Sequence, residues 1–122
     1  VRAADTVHAE PWLESIAYRI DDGRNSVVFT GDTEPVDSVV ELAGDADMLV
    51  CMCWDTDRAM EEDGLSGGMT GTASAGRLAA EAGVGSLILT HIGPHLDEPD
   101  RFADLLREYI ASTPGAGSTS GQ

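Results

Sequence analysis

Two polar residues follow apolar, strand-like runs closely enough to do chemistry together. Asp32 comes just after the run 26–30, and His91 comes directly after the run 86–90. Ligands of α/β sheets bind beyond the carboxyl ends of the strands, so both side chains are expected at one edge of a sheet. A carboxylate and an imidazole suit Zn²⁺, Mn²⁺ or Fe²⁺. Two structural interpretations compete: Asp32 could cap a helix, and His91 could be a buried histidine with satisfied hydrogen bonds.

Four residues on the loops after the central strand are candidates for substrate contacts. Trp54 and Asp55 follow the apolar run 48–53, and Trp54 would suit an aromatic or apolar substrate group. Core packing is the alternative for Trp54, and a turn or helix cap is the alternative for Asp55. Met69 and Thr70 precede a predicted helix and could also contact substrate, although a threonine there is well suited to be the N-cap.

The two other histidines are further candidates for the site. His8 lies before a predicted hairpin, where it could support a metal ligand, contact substrate or serve only as a structural polar residue. His95 follows His91 on a loop, where it could contact substrate or simply be solvated.

Apolar periodicity predicts the elements that must position these residues. An Asp-Asp-Gly-Arg turn at 21–24 joins two strands as a hairpin. After Gly31 the apolar spacing changes to i, i+3, i+4, i+7, which is typical of a helix, and Pro35 and Gly44 fit its start and stop. The acidic segment 55–68 is predicted to be a loop with at most a short helix. The order β-β-β-α-β-α-β-α predicts an α/β domain with a mixed sheet; the strands are placed at 1–9, 15–20, 26–30, 48–53 and 86–90, and the helices at 36–43, 75–82 and 102–110.

Composition limits the classes of function. The 122 residues, 42% of them apolar, suffice for one domain with one core. No apolar run approaches a membrane span, so no membrane partner is expected. The 22 acidic and 7 basic residues give a net charge of −15, which repels phosphate backbones and predicts no nucleic-acid partner. Cys51 and Cys53 are predicted to be free thiols, and with no signal segment this indicates a cytoplasmic location.

Several segments in order carry a family resemblance. The set VVFTGDT at 27–33, DADMLV at 45–50, AGRLAAEAGV at 75–84 and LILTH at 87–91 resembles the metallo-β-lactamase superfamily. AYRI at 17–20 is similar to the ribonuclease Z-like branch of its metal-dependent hydrolases. The resemblance implies an αββα sandwich, of which residues 1–112 look like the C-terminal half, a mixed sheet flanked by helices. Residues 113–122 would form a flexible tail.

The resemblance also implies a metal centre. Asp32 matches the aspartate that bridges two metals, and His91 matches the last histidine ligand. The family's H-x-H-x-D-H motif has no counterpart here, so the remaining ligands are expected from an N-terminal half on a separate chain or an absent segment. Two zinc ions, or manganese or iron, are the expected cofactors. The apolar sheet face of a half-sandwich predicts a homo- or hetero-oligomer.

Two departures from the family pattern bear on the substrate. Met52 stands where ribonuclease Z-like enzymes carry a glutamate, and Gly68 where they carry a histidine; in the family these act as a proton relay. Their loss and the acidic charge predict a small-molecule substrate rather than tRNA. The expected reaction is attack by metal-activated hydroxide on an ester, lactone, amide, phosphodiester or activated aryl carbon. The alternative is a non-catalytic, degenerate half that acts as a scaffold or partner subunit.

Overall fold

The computed structural model of the chain describes residues 1–9 and 11–98, together with positions 100, 103, 107 and 111. The predicted helix at 102–110 and the tail at 113–122 lie outside the described residues apart from those isolated positions, and they stay predictions. Within the described part, no helix is long and apolar enough to cross a membrane. The strands are β1 (Arg2–Thr6), β2 (Ser15–Asp21), β3 (Ser26–Phe29), β4 (Met48–Met52) and β5 (Ser86–Thr90), and the helices are α1 (Asp37–Leu42), α2 (Asp57–Glu62) and α3 (Thr72–Ala82), with a 3-10 helix at Pro94–Asp97.

The five strands form one mixed sheet in the order of the sequence. β1, β2 and β3 pair antiparallel, whereas β3, β4 and β5 pair parallel. Helices make the crossovers between the parallel strands, and this confirms the predicted α/β class. Because parallel strands run in one direction, the chain leaves β3, β4 and β5 at the same edge of the sheet.

The turn between β2 and β3 is held by one carboxylate. The backbone N–H groups of Arg24 and Asn25 donate to Asp22 Oδ1 at 2.9 and 2.7 Å. These two hydrogen bonds stabilise the ionised form and lower the pKa of Asp22 below its ordinary value of 3.8. The Asp-Asp-Gly-Arg segment is therefore the hairpin turn that its composition predicts.

The hydrophobic core lies between one face of the sheet and the helices α1 and α3. Inward-facing strand residues alternate with outward-facing ones, as a half-buried sheet requires. On α3 the buried positions are mostly small, which lets the helix backbone lie close to its neighbours. The core consists of Ala17, Val28, Leu49 and Cys51 from the sheet, Val39, Leu42, Ala43 and Ala46 from α1 and the turn after it, and Ala75, Leu78, Ala79 and Ala82 from α3.

A buried arginine closes the end of α1. Arg19 Nη1 donates to the carbonyl oxygens of Leu42 and Gly44 at 3.0 and 2.8 Å, and its Nε donates to Asp21. The last carbonyls of a helix have no partner within the helix, and a cation there also interacts favourably with the helix dipole. Arg19 is only 8% exposed, so the charge depends on these partners for its hydrogen bonds.

The opposite face of the sheet is apolar and exposed. Register pairs Tyr18 with Phe29, Phe29 with Val50, and Val50 with Ile88, so one row of apolar side chains runs across four strands. Tyr18, Phe29 and Ile88 are each more than two-fifths exposed. This is the bare apolar face that a half-sandwich requires.

Candidate metal centre

The structure brings Asp32 and His91 into direct contact. His91 Nδ1–H donates to Asp32 Oδ1 at 2.6 Å, although the two residues are 59 positions apart. The N-cap of α1 is Val36, so Asp32 does not cap that helix. The His91 side chain is 50% exposed, so it is not a buried histidine. Both structural interpretations that competed with a functional site are therefore wrong, and the two groups stand together at the carboxyl edge of the sheet.

The backbone around His91 is shaped to present its ring. His91 has a φ of 52°, in the left-handed region that residues other than glycine rarely adopt. The chain turns there directly after β5, and Gly93 N–H then donates to the carbonyl of Trp54 at 2.9 Å. The Trp54 and His91 rings meet edge to face, with centroids 5.8 Å apart. A strained, half-exposed histidine is thus held beside an aromatic side chain, a kind of strain that concentrates at functional sites.

His8 is the third side chain beside the pair of Asp32 and His91. Its Nδ1–H donates to the carbonyl oxygen of Gly68 at 2.6 Å, and its Nε2 lies 3.9 Å from Asp32 Oδ2. The hydrogen bond engages Nδ1, so Nε2 is the ring nitrogen that faces the carboxylate. A histidine whose other nitrogen is bound by a carbonyl has the arrangement usual for metal ligands.

Thr33 ties the segments that carry His8 and Asp32 together. Val7 N–H donates to Thr33 Oγ1 at 3.0 Å, and Thr70 Oγ1 donates to the Thr33 carbonyl at 2.7 Å. Thr33 N–H donates to the sulfur of Met52 at 3.3 Å. Thr33 is completely buried, so these bonds hold the backbone beside Asp32 without competition from water. Met52, which stands where the family's relay glutamate is expected, therefore helps to hold Thr33 in place.

The backbone at Gly68 explains the second departure from the family pattern. Gly68 has a φ of +82°, and a Cβ built on it would overlap the carbonyl oxygen of His8 and lie 3.0 Å from its carbonyl carbon. A histidine therefore cannot occupy position 68 unless the backbone changes. The conformation of this loop therefore favours glycine at position 68.

The remaining predicted substrate residues are placed differently from one another. Asp55 is 3% exposed, and its Oδ1 accepts from Thr56 N–H at 2.8 Å. Thr70 is buried by its bond to Thr33, and Met69 is half-buried. The N-cap of α3 is Gly71, so the expectation of a threonine cap there is wrong, because glycine with an extended backbone fits the close approach to Asp57. His95 is exposed in the 3-10 helix. Substrate contacts of these residues stay predictions.

The two cysteines are not part of the site. Cys51 and Cys53 are buried and form no disulfide, which confirms the prediction of two thiols. Burial raises the pKa of Cys51 to about 12, so the thiolate form that binds metals is absent near neutral pH.

The donor chemistry of Asp32, His8 and His91 fits a divalent metal, but the arrangement is incomplete. One carboxylate and two imidazoles are the ligand types that zinc, manganese and iron accept. Asp32 and His91 contact each other instead of surrounding a common point. In residues 1–9 and 11–98, no three His, Cys, Asp or Glu side chains are arranged to hold an ion. A metal would have to separate Asp32 from His91 and find further ligands elsewhere.

Comparison with known proteins identifies the family. The sequence model of a protein family described as the beta-lactamase superfamily domain matches residues 1–92 of this chain. The chain belongs to the metallo-β-lactamase superfamily. It is 42% identical over 86 residues to the probable metallo-hydrolase YhfI of Bacillus subtilis, covering 70% of this chain and 34% of YhfI. The crystal structure of YhfI superimposes with a TM-score of 0.73 at 34% identity, covering 92% of this chain and 42% of that chain.

Ribonucleases of the superfamily are also similar. Ribonuclease BN of Escherichia coli is 42% identical over 86 residues, which are 70% of this chain and 27% of that protein. The short form of human tRNase Z, at 22% identity, shares the fold with a TM-score of 0.66 over 76% of this chain and 35% of that one. These matches confirm the ribonuclease Z-like branch. The chain spans about a third of the length of the curated relatives.

These relatives correct the expectation about partners. A small-molecule substrate with nucleic acid excluded was predicted from the net charge of −15 and the two lost relay residues. That prediction is wrong, because similar proteins include ribonucleases by name. Net charge sums over the whole chain, whereas phosphate binding depends on the local potential at the site, to which a bound cation contributes strongly.

Proposed function

We propose that this chain provides one side of the metal centre of a hydrolase that cleaves phosphodiester bonds. The observation that carries the proposal is the contact of Asp32 with His91, which joins two groups from different strand ends in a partly exposed position. Nothing in the packing of the core requires this pair. A carboxylate and an imidazole that are both partly exposed at the carboxyl edge of an α/β sheet lie where such sheets usually bind their ligands.

Each residue has a distinct task in this proposal. Asp32 offers two carboxylate oxygens, one facing His91 and one facing His8, so it can bind two cations at once. His8 would offer Nε2, because its Nδ1–H donates to the carbonyl oxygen of Gly68. A bound divalent cation would act as a Lewis acid and lower the pKa of a water molecule toward neutrality. The half-exposed ligands leave that water open to a substrate.

Further ligands are needed to complete the centre. Catalytic zinc sites use three or more protein ligands, and the described residues hold no ready set of three. Because the chain covers 34% of YhfI and 27% of ribonuclease BN, we infer that the missing ligands belong to polypeptide outside these 122 residues. That polypeptide would pack on the bare apolar face of the sheet.

Phosphodiesters are the proposed substrate class. Ribonuclease BN supports this choice through its name and its 42% identity. The absence of glutamate and histidine at Met52 and Gly68 argues that protonation of the leaving group does not use the relay of the ribonuclease Z-like enzymes. The leaving group of a nitrophenyl phosphodiester needs no proton. The ratio of its cleavage rate to that of RNA should therefore be higher for this protein than for enzymes that have the relay.

Metal uptake tests the proposal on the chain itself. We expect weak, saturable Zn²⁺ binding by calorimetry, and we expect Asp32→Ala and His91→Ala to abolish it. Glu61→Ala, which removes an exposed carboxylate on α2, is the matched control and should bind like the parent. A parent chain that binds no more zinc than Asp32→Ala would refute the proposed centre.

Hydrolysis is tested separately with the completed protein. Bis(4-nitrophenyl) phosphate and a short RNA are offered with Zn²⁺ or Mn²⁺, and release of nitrophenol and RNA fragments is followed. Metal-dependent cleavage that Asp32→Ala removes is the expected result. Metal-free activity at the same rate, or activity that survives in Asp32→Ala, would refute the assignment as a metal-dependent hydrolase.

A further inference from the structure

Trp54 stands directly beside His91 and has no polar bond from its side chain to the site. The two ring centroids are 5.8 Å apart and the ring planes cross at 84°. This is the edge-to-face arrangement that aromatic pairs prefer, at a separation within its favourable range. The His91 side chain is otherwise half exposed and has one hydrogen bond, to Asp32. Among the described residues, Trp54 is therefore the one aromatic side chain that contacts the His91 ring.

The backbone of Trp54 is fixed on both sides. Its N–H donates to the Thr70 carbonyl at 3.0 Å, and its carbonyl accepts from Gly93 N–H at 2.9 Å. Thr70 is in turn bonded to Thr33, next to Asp32. The indole thus rests on a segment that is linked to the backbone of both Asp32 and His91.

Gly93 makes the close approach of Trp54 possible. A Cβ on Gly93 would overlap the Trp54 carbonyl oxygen and lie 3.1 Å from the indole Cδ2. Gly93 is also buried. The loop that carries His91 is therefore packed against both the backbone and the ring of Trp54, so movement of the indole would be transmitted to the histidine.

We propose that Trp54 is a positioning residue that restricts the His91 imidazole to the carboxyl edge of the sheet beside Asp32, where a metal that separates the two groups would bind it. His91 needs such support because its φ of 52° is strained and half of its side chain is exposed, so packing does not enclose the ring on the solvent side. A ligand that is already oriented binds a metal without first losing rotamer freedom. This inference rests on the proposed metal centre, and it assigns Trp54 to the ligand rather than to the substrate.

Zinc affinity of the full chain measures the effect. Loss of a group that orients a metal ligand typically weakens metal binding by 10- to 100-fold, and we expect about tenfold for Trp54→Ala because a ring contact is weaker than a hydrogen bond. Trp54→Phe keeps an aromatic edge or face against His91 and should restore affinity to within about threefold. Trp12→Ala removes a tryptophan that is 89% exposed and should leave affinity unchanged.

A second measurement does not depend on metal. In the metal-free chain, the ring current of Trp54 is expected to shift the ¹³C–¹H resonances of the His91 ring, and the exposed His95 provides an internal reference. Trp54→Ala should move the His91 peaks toward those of a free histidine, whereas Trp54→Phe should move them less.

The outcomes separate this inference from the proposed centre. Unchanged His91 peaks in Trp54→Ala, or unchanged zinc affinity while Asp32→Ala abolishes binding, would overturn the positioning role and leave the centre standing. Absence of zinc binding by the parent chain would overturn both.

Discussion

Replacing Gly68 by alanine tests the contact that fixes His8. Gly68 combines two constraints: a φ of +82°, and a Cβ position that overlaps the His8 carbonyl oxygen. The same loop contains two glycines that separate these constraints. Gly64 has a φ of +70° with nothing within 4 Å of its Cβ position, and Gly67 has open space with no positive φ. The three alanine variants therefore form a graded series.

The magnitude follows from the two constraints. A left-handed conformation costs an alanine about 1 kcal/mol, which we expect for Gly64→Ala. The overlap at Gly68 involves backbone rather than a flexible side chain, so it adds about 1–3 kcal/mol of strain. Gly68→Ala should therefore lower the free energy of unfolding by about 3 kcal/mol, or lower Tm by about 12 °C for a domain of this size. Gly67→Ala should raise stability slightly, because alanine restricts the unfolded chain.

Urea and thermal unfolding of the three variants provide the assay. The order of stability expected is Gly67→Ala, then Gly64→Ala, then Gly68→Ala. If Gly68→Ala lost no more stability than Gly64→Ala, the His8 carbonyl would not be packed against position 68. The explanation for the missing family histidine, and the anchoring of His8, would then both be wrong.

Three further predictions concern residues outside the site. Arg19→Met should lower the free energy of unfolding by about 2–3 kcal/mol in a urea titration, since it leaves the final carbonyls of α1 without their charged donor; a loss below about 0.5 kcal/mol would contradict the capping role. Asp22 has a pKa below 3.8, so its contribution to stability is full above that pH and is lost as the pH falls through the folded pKa; Asp22→Asn should flatten this acid limb of a pH–stability curve, and a parallel curve would count against it. Cys51, with a pKa of about 12, should not react with a disulfide reagent at pH 8 until the chain unfolds, and rapid labelling of the native protein would contradict its burial.

The parallel strands β3, β4 and β5 were predictable because they are short apolar runs bounded by glycine or polar residues. The convergence of Asp32 and His91 was predictable for the same reason, since both follow parallel strands. The short helix allowed for in the segment 55–68 is α2, but its six residues carry too little apolar periodicity to fix its bounds; the Thr56 hydroxyl accepts from Ala59 N–H and starts the helix. Strand β1 ends at Thr6 rather than at residue 9, because the N–H of Val7 donates a hydrogen bond to Thr33 Oγ1 instead of to β2.

Contacts between distant loops could not be predicted from the sequence. The bond from His8 to Gly68 joins residues 60 positions apart, and no spacing rule connects two irregular segments. The edge-to-face contact of Trp54 depends equally on the turn at His91, whose left-handed φ no pattern indicates. The exclusion of nucleic acid failed for a different reason, because it drew a local conclusion from a charge summed over the whole chain.

The two departures from the family pattern argue against a degenerate scaffold. The sulfur of Met52 accepts a hydrogen bond from the N–H of Thr33, beside Asp32, and the carbonyl oxygen of Gly68 accepts one from His8 Nδ1–H. Met52 thus helps to hold Thr33, the neighbour of Asp32, and Gly68 helps to hold His8. A scaffold would need neither contact, and a strained backbone such as that of His91 concentrates at functional sites. Under the proposed function, the chain would supply ligands to the centre and the leaving-group proton would come from a source other than this relay, which makes phosphodiesters with good leaving groups the most informative substrates to assay.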